Sequence, residues 1–158
     1  MEGLKQYAFK EFTASEVCQI LRQLLGERIK IGLPLINFYT RSGLIVPTGK
    51  TIYRKKRKYS FYDLVLFYWL FRMKREGVHL SKFKSACEIL RKKIKSKKDL
   101  LSFVLATDGE RIYVRSGKSV NNLVGQILSG KNRGQYIWIF GFKNIADELK
   151  SVVAQTQY

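Results

Sequence analysis

Five consecutive cations, Arg54 to Lys58, are the first feature of this sequence that could do chemistry. Lysine and arginine side chains pair with phosphates, and the arginine fork does so with two parallel hydrogen bonds. A cation run contacts a phosphate backbone, or lies in solvent, more often than it reads a base sequence. The run therefore predicts a polyanion contact, with Lys50 beside it and Tyr59 closing it through packing or a backbone contact.

The distribution of charge supports this prediction. The chain has 30 basic and 12 acidic residues and a net charge of +18. Residues 50–98 carry 17 of the basic and 3 of the acidic groups, so most of the excess lies in the middle third. A concentrated basic region favours DNA, RNA or an acidic membrane surface as the partner, with a solvated lysine-rich surface as the alternative.

Residues for catalysis or metal binding are sparse. One histidine, two isolated cysteines and scattered carboxylates offer no nucleophile–base pair and no paired carboxylates, so we expect no enzyme, cofactor or metal. Cys18 and Cys87 lie in apolar helical patterns and are predicted to be small core residues. No signal peptide pattern is present, and the apolar run 61–71 is too short to span a bilayer, which favours the cytoplasm and no membrane contact.

Helical patterns dominate the first 98 residues. Thr13 and Glu16 form a capping-box pattern before a helix to about residue 25, and Leu33–Tyr39 is a short second helix. Apolar residues at 44–46 and 52–53 predict the strands of a hairpin. The residues at 61–76 predict a long helix that is apolar on all sides. We expect the preceding helices to cover one side of it, and the C-terminal part or a second subunit to cover the other. The residues at 81–95 predict a fourth helix.

The second helix has the composition of a recognition element. Asn37, Thr40 and Arg41 lie on or beside its polar face, where they would be at or near base edges. The rings of Phe38 and Tyr39 either point an edge at a sugar-phosphate backbone or lie in the core, and the sequence leaves both alternatives open.

The pattern changes at residue 99, where the charge becomes nearly neutral. Asp108-Gly109 predicts a hairpin turn, 136–142 a hydrophobic strand and 144–154 a final helix. Residues 123–130 fit either a short helix or a strand pair. We therefore predict an α+β protein with two domains: 1–98, a winged helix-turn-helix with a β-hairpin wing, and 99–158, a small β-rich domain ending in a helix.

Residues 12–90 resemble the MerR-type winged-helix DNA-binding domain of bacterial regulators. The resemblance rests on Phe12-Thr13-x-x-Glu16-Val17 and on Ile36-x-Phe38-Tyr39-x-Arg41-x-Gly43-Leu44-Ile45-x-Pro47. It continues in Arg57-x-Tyr59-Ser60-x-x-Asp63-Leu64 and Gly77-Val78-x-Leu80-x-x-Phe83. The connection before the second helix is longer than is usual in that family, and Asn37 stands where an arginine is common.

The whole chain is also similar to winged-helix antitoxins of bacterial toxin–antitoxin systems. Tyr59-Ser60-Phe61-x-Asp63-Leu64 and Gly77-Val78 carry this similarity, with Thr107-Asp108-Gly109-x-Arg111-Ile112-Tyr113-Val114 and Leu123-Val124-x-x-Ile127-Leu128-Ser129-Gly130. The similarity implies an autorepressor whose C-terminal half engages a partner protein, in that family a toxin.

The expected function is therefore a sequence-specific DNA-binding transcriptional regulator, with helix 33–41 in the major groove and the basic wing 50–58 on the backbone. Double-stranded DNA and a second copy of the chain are the expected partners, since one such domain reads only a half-site. The alternatives are an antitoxin-like protein that binds a partner toxin, and an RNA-binding module. The predicted DNA-binding residues are Asn37, Tyr39, Thr40, Arg41, Lys50, Arg54, Lys55, Lys56, Arg57, Lys58 and Tyr59.

Overall fold

A computed structural model describes seven stretches of the chain: residues 11–26, 30–47, 57–75, 77–94, 97–107, 112–116 and 138–155. Helices and two small antiparallel sheets make up these stretches, which confirms a mixed α+β composition. The chain divides into two compact units: one contains the residues up to Arg72 and those from Asp147 onward, and the other is Met73–Ala146.

The first unit begins with a strand and two helices, namely β1 (Glu11–Thr13), α1 (Ala14–Leu25) and α2 (Leu33–Arg41). Strand β2 (Lys58–Ser60) pairs antiparallel with β1, and helix α3 (Phe61–Arg75) follows directly. The register places Phe12 opposite Tyr59, and both side chains are buried. This short sheet joins the start of α1 to the start of α3.

Both helices that follow these strands begin at a capping motif. The Thr13 hydroxyl accepts a hydrogen bond from the backbone N–H of Glu16 (3.2 Å) and donates one to the Glu16 carboxylate. At α3, the Ser60 N–H donates to Asp63 Oδ2 (2.9 Å), and the Asp63 N–H donates to Ser60 Oγ. Each motif satisfies backbone donors that the helix cannot pair internally. The predicted capping box at Thr13 is confirmed.

The predicted strand at Leu44–Val46 is wrong. Leu44 and Ile45 are buried, but residues 42–45 form turns and bends after the end of α2. The Ile45 N–H donates to the carbonyl of Tyr39 (3.3 Å), so the chain folds back on α2 and forms no ladder there. Gly43 has φ +78°, the left-handed conformation expected where a glycine follows a helix. Residues 52–53, the other predicted wing strand, lie outside the described residues.

Helix α3 is buried on most of its surface, as its composition predicts. On one side, Phe67 lies edge-to-face with Tyr59 and Phe71 with Tyr39. On another, the Tyr68 hydroxyl donates to Glu148 Oε2 (2.8 Å), and Arg72 lies 3.7 Å from the same carboxylate. Glu148 belongs to the final helix, α5 (Phe142–Gln155). The prediction that the C-terminal part covers α3 is confirmed within the first unit.

The second unit contains α4 (Leu80–Lys93), a 3₁₀ helix (Lys97–Ser102) and the strands β3 (Phe103–Thr107), β4 (Ile112–Ser116) and β5 (Trp138–Gly141). Strand β3 is central and pairs antiparallel with both others, in the order β4-β3-β5. Helix α4 packs against β4, and the buried Leu105 and Val114 are paired across β3 and β4. The predicted turn at Asp108-Gly109 and the segment 123–130 lie outside the described residues.

The boundaries between the two units fall within α3 and within α5. The predicted division into the domains 1–98 and 99–158 stays a prediction. Among the described residues, no helix is long and apolar enough to cross a membrane.

Candidate nucleic-acid interface

Helix α2 has one exposed face, which contains Pro34, Asn37, Phe38 and Arg41. Pro34, Phe38 and Arg41 are exposed and Asn37 is half-buried. Their spacing places them along one side of the helix, over eight residues or about 10 Å of helix axis. A helix of nine residues is about 13 Å long, and with side chains about 10–12 Å wide, so it fits the major groove of B-DNA.

The opposite face of α2 fixes the helix to the first unit. Ile36 and Tyr39 are buried, and Pro34 lies in the first turn, where its missing N–H removes no helical hydrogen bond. The Tyr39 ring lies 5.5 Å from Phe71 at 79°, and burial raises the pKa of its phenol, which keeps the hydroxyl neutral. The two buried positions of α2, Ile36 and Tyr39, therefore lie on the side of the helix opposite its exposed ones.

The two aromatic residues of α2 have different environments. Tyr39 is 3% exposed and Phe38 is 51% exposed. Of the two alternatives that the sequence left open, Tyr39 lies in the core and positions the helix, while Phe38 presents its ring at the surface. The sequence could not separate these adjacent rings, because the choice depends on where α3 packs.

Thr40 connects α2 to β2 through its hydroxyl. This hydroxyl donates to the carbonyl of Ile36 (2.9 Å) and lies 2.8 Å from the hydroxyl of Tyr59. Because threonine has a single hydroxyl proton, the Tyr59 hydroxyl is the donor in the second bond. Tyr59 is fully buried, so its ring packs and does not face solvent. The predicted site residues Thr40 and Tyr59 are thus brought together, in a pair that orients α2 against β2, the strand that begins at the last cation of the run.

The cations of the predicted wing are described only in part. Arg57 and Lys58 are half-buried, and Lys58 belongs to β2, opposite Thr13. Lys50, Arg54, Lys55 and Lys56 lie outside the described residues. Whether any of these side chains contacts a phosphate stays a prediction.

Helix α4 has a basic face that the predicted site omitted. Its side chains Phe83, Ala86, Cys87 and Leu90 are buried. The exposed positions contain one acidic residue, Glu88, and five cations: Lys82, Lys84, Arg91, Lys92 and Lys93. The first turn has no acidic residue, although the helix dipole favours one there, and it contains Lys82, which the dipole disfavours. The sequence already indicates this basic face, because the cations occupy the polar side of the 3.6-residue helical pattern.

A cavity of about 660 Å³ lies between the end of α1 and the start of α2. Ile31, Pro34 and Leu35 supply apolar walls, and Arg22 and Lys30 supply cations. The Arg22 Nε donates to the carbonyl of Ile31 (2.7 Å), which ties α1 to the connection before α2.

The two cysteines are buried and unpaired, as predicted for core residues. Burial raises the pKa of the Cys18 thiol, and it raises that of Cys87 to about 11. Within the described stretches, no three metal-binding side chains lie together.

No protein-family model matches this chain, and a comparison with curated proteins finds no relative.

Proposed function

We propose that this chain is a sequence-specific DNA-binding transcriptional regulator, with a winged helix-turn-helix in its first 98 residues, and that it acts in the cytoplasm and represses its own gene. The observation that carries the proposal is the exposed face of α2. It combines an amide, a guanidinium and an aromatic ring on a helix whose other side is buried in the core.

The chemistry of this face suits base recognition. An asparagine amide can pair with both N6 and N7 of adenine, and an arginine can pair with O6 and N7 of guanine. Asn37 and Arg41 are four residues apart, so their side chains are neighbours on the helix. We expect them to contact adjacent or next-adjacent base pairs.

Phosphate contacts supply the affinity in this proposal. The cations Arg57 and Lys58 and those of the wing, 50–56, are one group, and the basic face of α4 is another. Each phosphate neutralised contributes about 0.9 to the slope of log K against log salt. Six such contacts give a slope near −5, and a slope near zero would contradict the assignment of the cations to phosphates.

The first test is selection of duplexes from a randomised pool, followed by binding to the selected duplex and to a shuffled one. The duplex upstream of the chain's own coding sequence is measured beside them, at two salt concentrations. We expect a selected motif, tight binding that survives higher salt only on that motif, and a copy of the motif upstream. Equal binding to all duplexes, or tighter binding to single-stranded RNA, would refute the proposal.

A matched pair of variants locates the reading element. Arg41→Gln should reduce the preference for the selected duplex by about 1–3 kcal/mol and relax the selected motif at one position. Lys143→Gln removes the same charge from an exposed position in α5 and should leave the preference unchanged. If both variants lose the same affinity on both duplexes, Arg41 acts only as a charge.

Homodimerisation is part of the proposal, because one domain of this size reads only a half-site. Sedimentation at micromolar concentration, with and without the selected duplex, tests it. We expect two chains on each duplex and a motif with two-fold symmetry. A single chain bound to an asymmetric motif would remove the dimer from the proposal.

A further inference from the structure

Phe38 is a large aromatic residue at the centre of the exposed face of α2, where it is 51% exposed. Its neighbour Tyr39 takes the adjacent core position. The two rings are 5.7 Å apart at 63°, and Tyr39 is in turn packed on Phe71. The helix therefore holds an apolar ring outward between Asn37 and Arg41.

The major groove offers such a ring a specific target. The 5-methyl group of thymine is the apolar group among the donors and acceptors at the base edges, and phenylalanine is one of the residues that contacts it. Asn37 precedes Phe38 and has the amide that suits adenine. An amide and an apolar ring side by side are complementary to A·T pairs.

We propose that Phe38 reads the methyl group of a thymine in the selected DNA site. This proposal rests on the proposed function and names the base that one residue of α2 recognises. Removing one buried methyl group should weaken binding about fourfold, from the transfer free energy of one apolar carbon.

The experiment replaces each thymine of the selected duplex, one at a time, by deoxyuridine. Deoxyuridine keeps the base pair and its hydrogen bonds and lacks only the 5-methyl group. We expect one or two positions at which the native protein binds about fourfold more weakly, and no change at the others. The same duplex series is then measured with Phe38→Ala and with Phe38→Leu.

Phe38→Ala should bind the thymine and deoxyuridine duplexes equally at the sensitive positions, whereas Phe38→Leu should keep part of the difference. Because the side chain is half-exposed, we expect Phe38→Ala to remain folded, which circular dichroism checks. A native protein that is indifferent to deoxyuridine at every position, or a Phe38→Ala variant that keeps the full difference, overturns the inference alone. A native protein without preference for any duplex overturns the proposed function and this inference together.

Discussion

Helices α2 and α4 are both amphipathic, but their exposed faces have different chemistry. The exposed face of α2 has one cation, one amide and one aromatic ring, while that of α4 has five cations and one carboxylate. The first set can distinguish bases, because its groups differ in shape and hydrogen bonding. The second set can attract any polyanion and distinguish none. If both helices contact DNA, substitutions in α2 should change the preference for one duplex over another. Substitutions in α4 should change the affinity for all duplexes equally.

The largest effect should come from the buried side of α2. Tyr39→Ala removes a ring that is packed on Phe71, and we expect the free energy of unfolding to fall by about 3–5 kcal/mol. Specific DNA binding should be lost with it, because α2 loses its anchor. Urea unfolding and duplex binding measure the two effects.

The adjacent Phe38→Ala is the control for Tyr39→Ala. A substitution at the exposed position should change the unfolding free energy by about 0.5 kcal/mol or less, while still altering binding. Equal destabilisation by the two variants would contradict the assignment of one ring to the core and the other to the surface.

The next effect concerns the basic face of α4. Replacing Lys82 and Lys84 by glutamine should lower the slope of log K against log salt by about 1.8, and reduce affinity equally for the selected and shuffled duplexes. Both lysines lie near the start of α4, where the helix dipole disfavours cations, so the double variant should not destabilise the helix.

A charge-matched control uses two lysines of α5. Lys143→Gln with Lys150→Gln makes the same change in net charge, and the Lys150 ion pair with Asp147 is an exposed one of small energetic value. If the control lowers the salt slope as much as the α4 variant does, net charge rather than the face of α4 is responsible.

Removing the hydrogen bond between α2 and β2 should have a smaller effect on the free energy of unfolding. Tyr59→Phe removes the hydroxyl that donates to Thr40 Oγ1, and we expect a loss of about 1 kcal/mol in unfolding free energy. Thr40→Val should cost a similar amount, and the double variant should cost less than the sum, because the two hydroxyls share one bond. Thr40→Ser keeps the hydroxyl and serves as the control; strict additivity of the two losses would argue against the bond.

Local signals in the sequence were sufficient for most elements. The capping box at Thr13 and the helical spacing of apolar residues predicted the helices, because these interactions join residues three or four apart. The pairing of β1 with β2 was not predicted, because it joins three-residue strands far apart in the chain and has no local signature. The same limit explains the wrong strand at Leu44–Val46, whose apolar residues are buried against the end of α2 instead.

The candidate site was predictable in composition but not in role. The types of Asn37 and Arg41 indicated base contacts, and the structure places both on the accessible side of α2. The roles of Thr40 and Tyr59 as a positioning pair depend on the approach of β2 to α2, which only the tertiary structure defines. The basic face of α4 was visible as a charge pattern, yet its accessibility depends on the packing of α4 against β4.

The last effect compares the two units through their cysteines. Below pH 9 the thiol of Cys87 keeps its proton in both the native and the unfolded protein, and its contribution to stability does not change. Above pH 9 the unfolded thiol ionises, while burial keeps the native thiol protonated up to about pH 11. The free energy of unfolding should therefore fall as the pH rises through this window, by about 1.4 kcal/mol at one pH unit above the unfolded pKa.

Urea unfolding at pH 8 and pH 10 measures this loss, and Cys87→Ala separates it from the titration of lysines and tyrosines. The variant should lose less stability than the native protein between the two pH values. Cys18→Ala is the matched variant in the first unit, and it should show a smaller difference because the pKa of Cys18 is raised less than that of Cys87. An equal pH dependence in the native protein and in Cys87→Ala would mean that water reaches the thiol of Cys87. The buried side of α4, opposite its basic face, would then be more accessible to solvent than its packing against β4 implies.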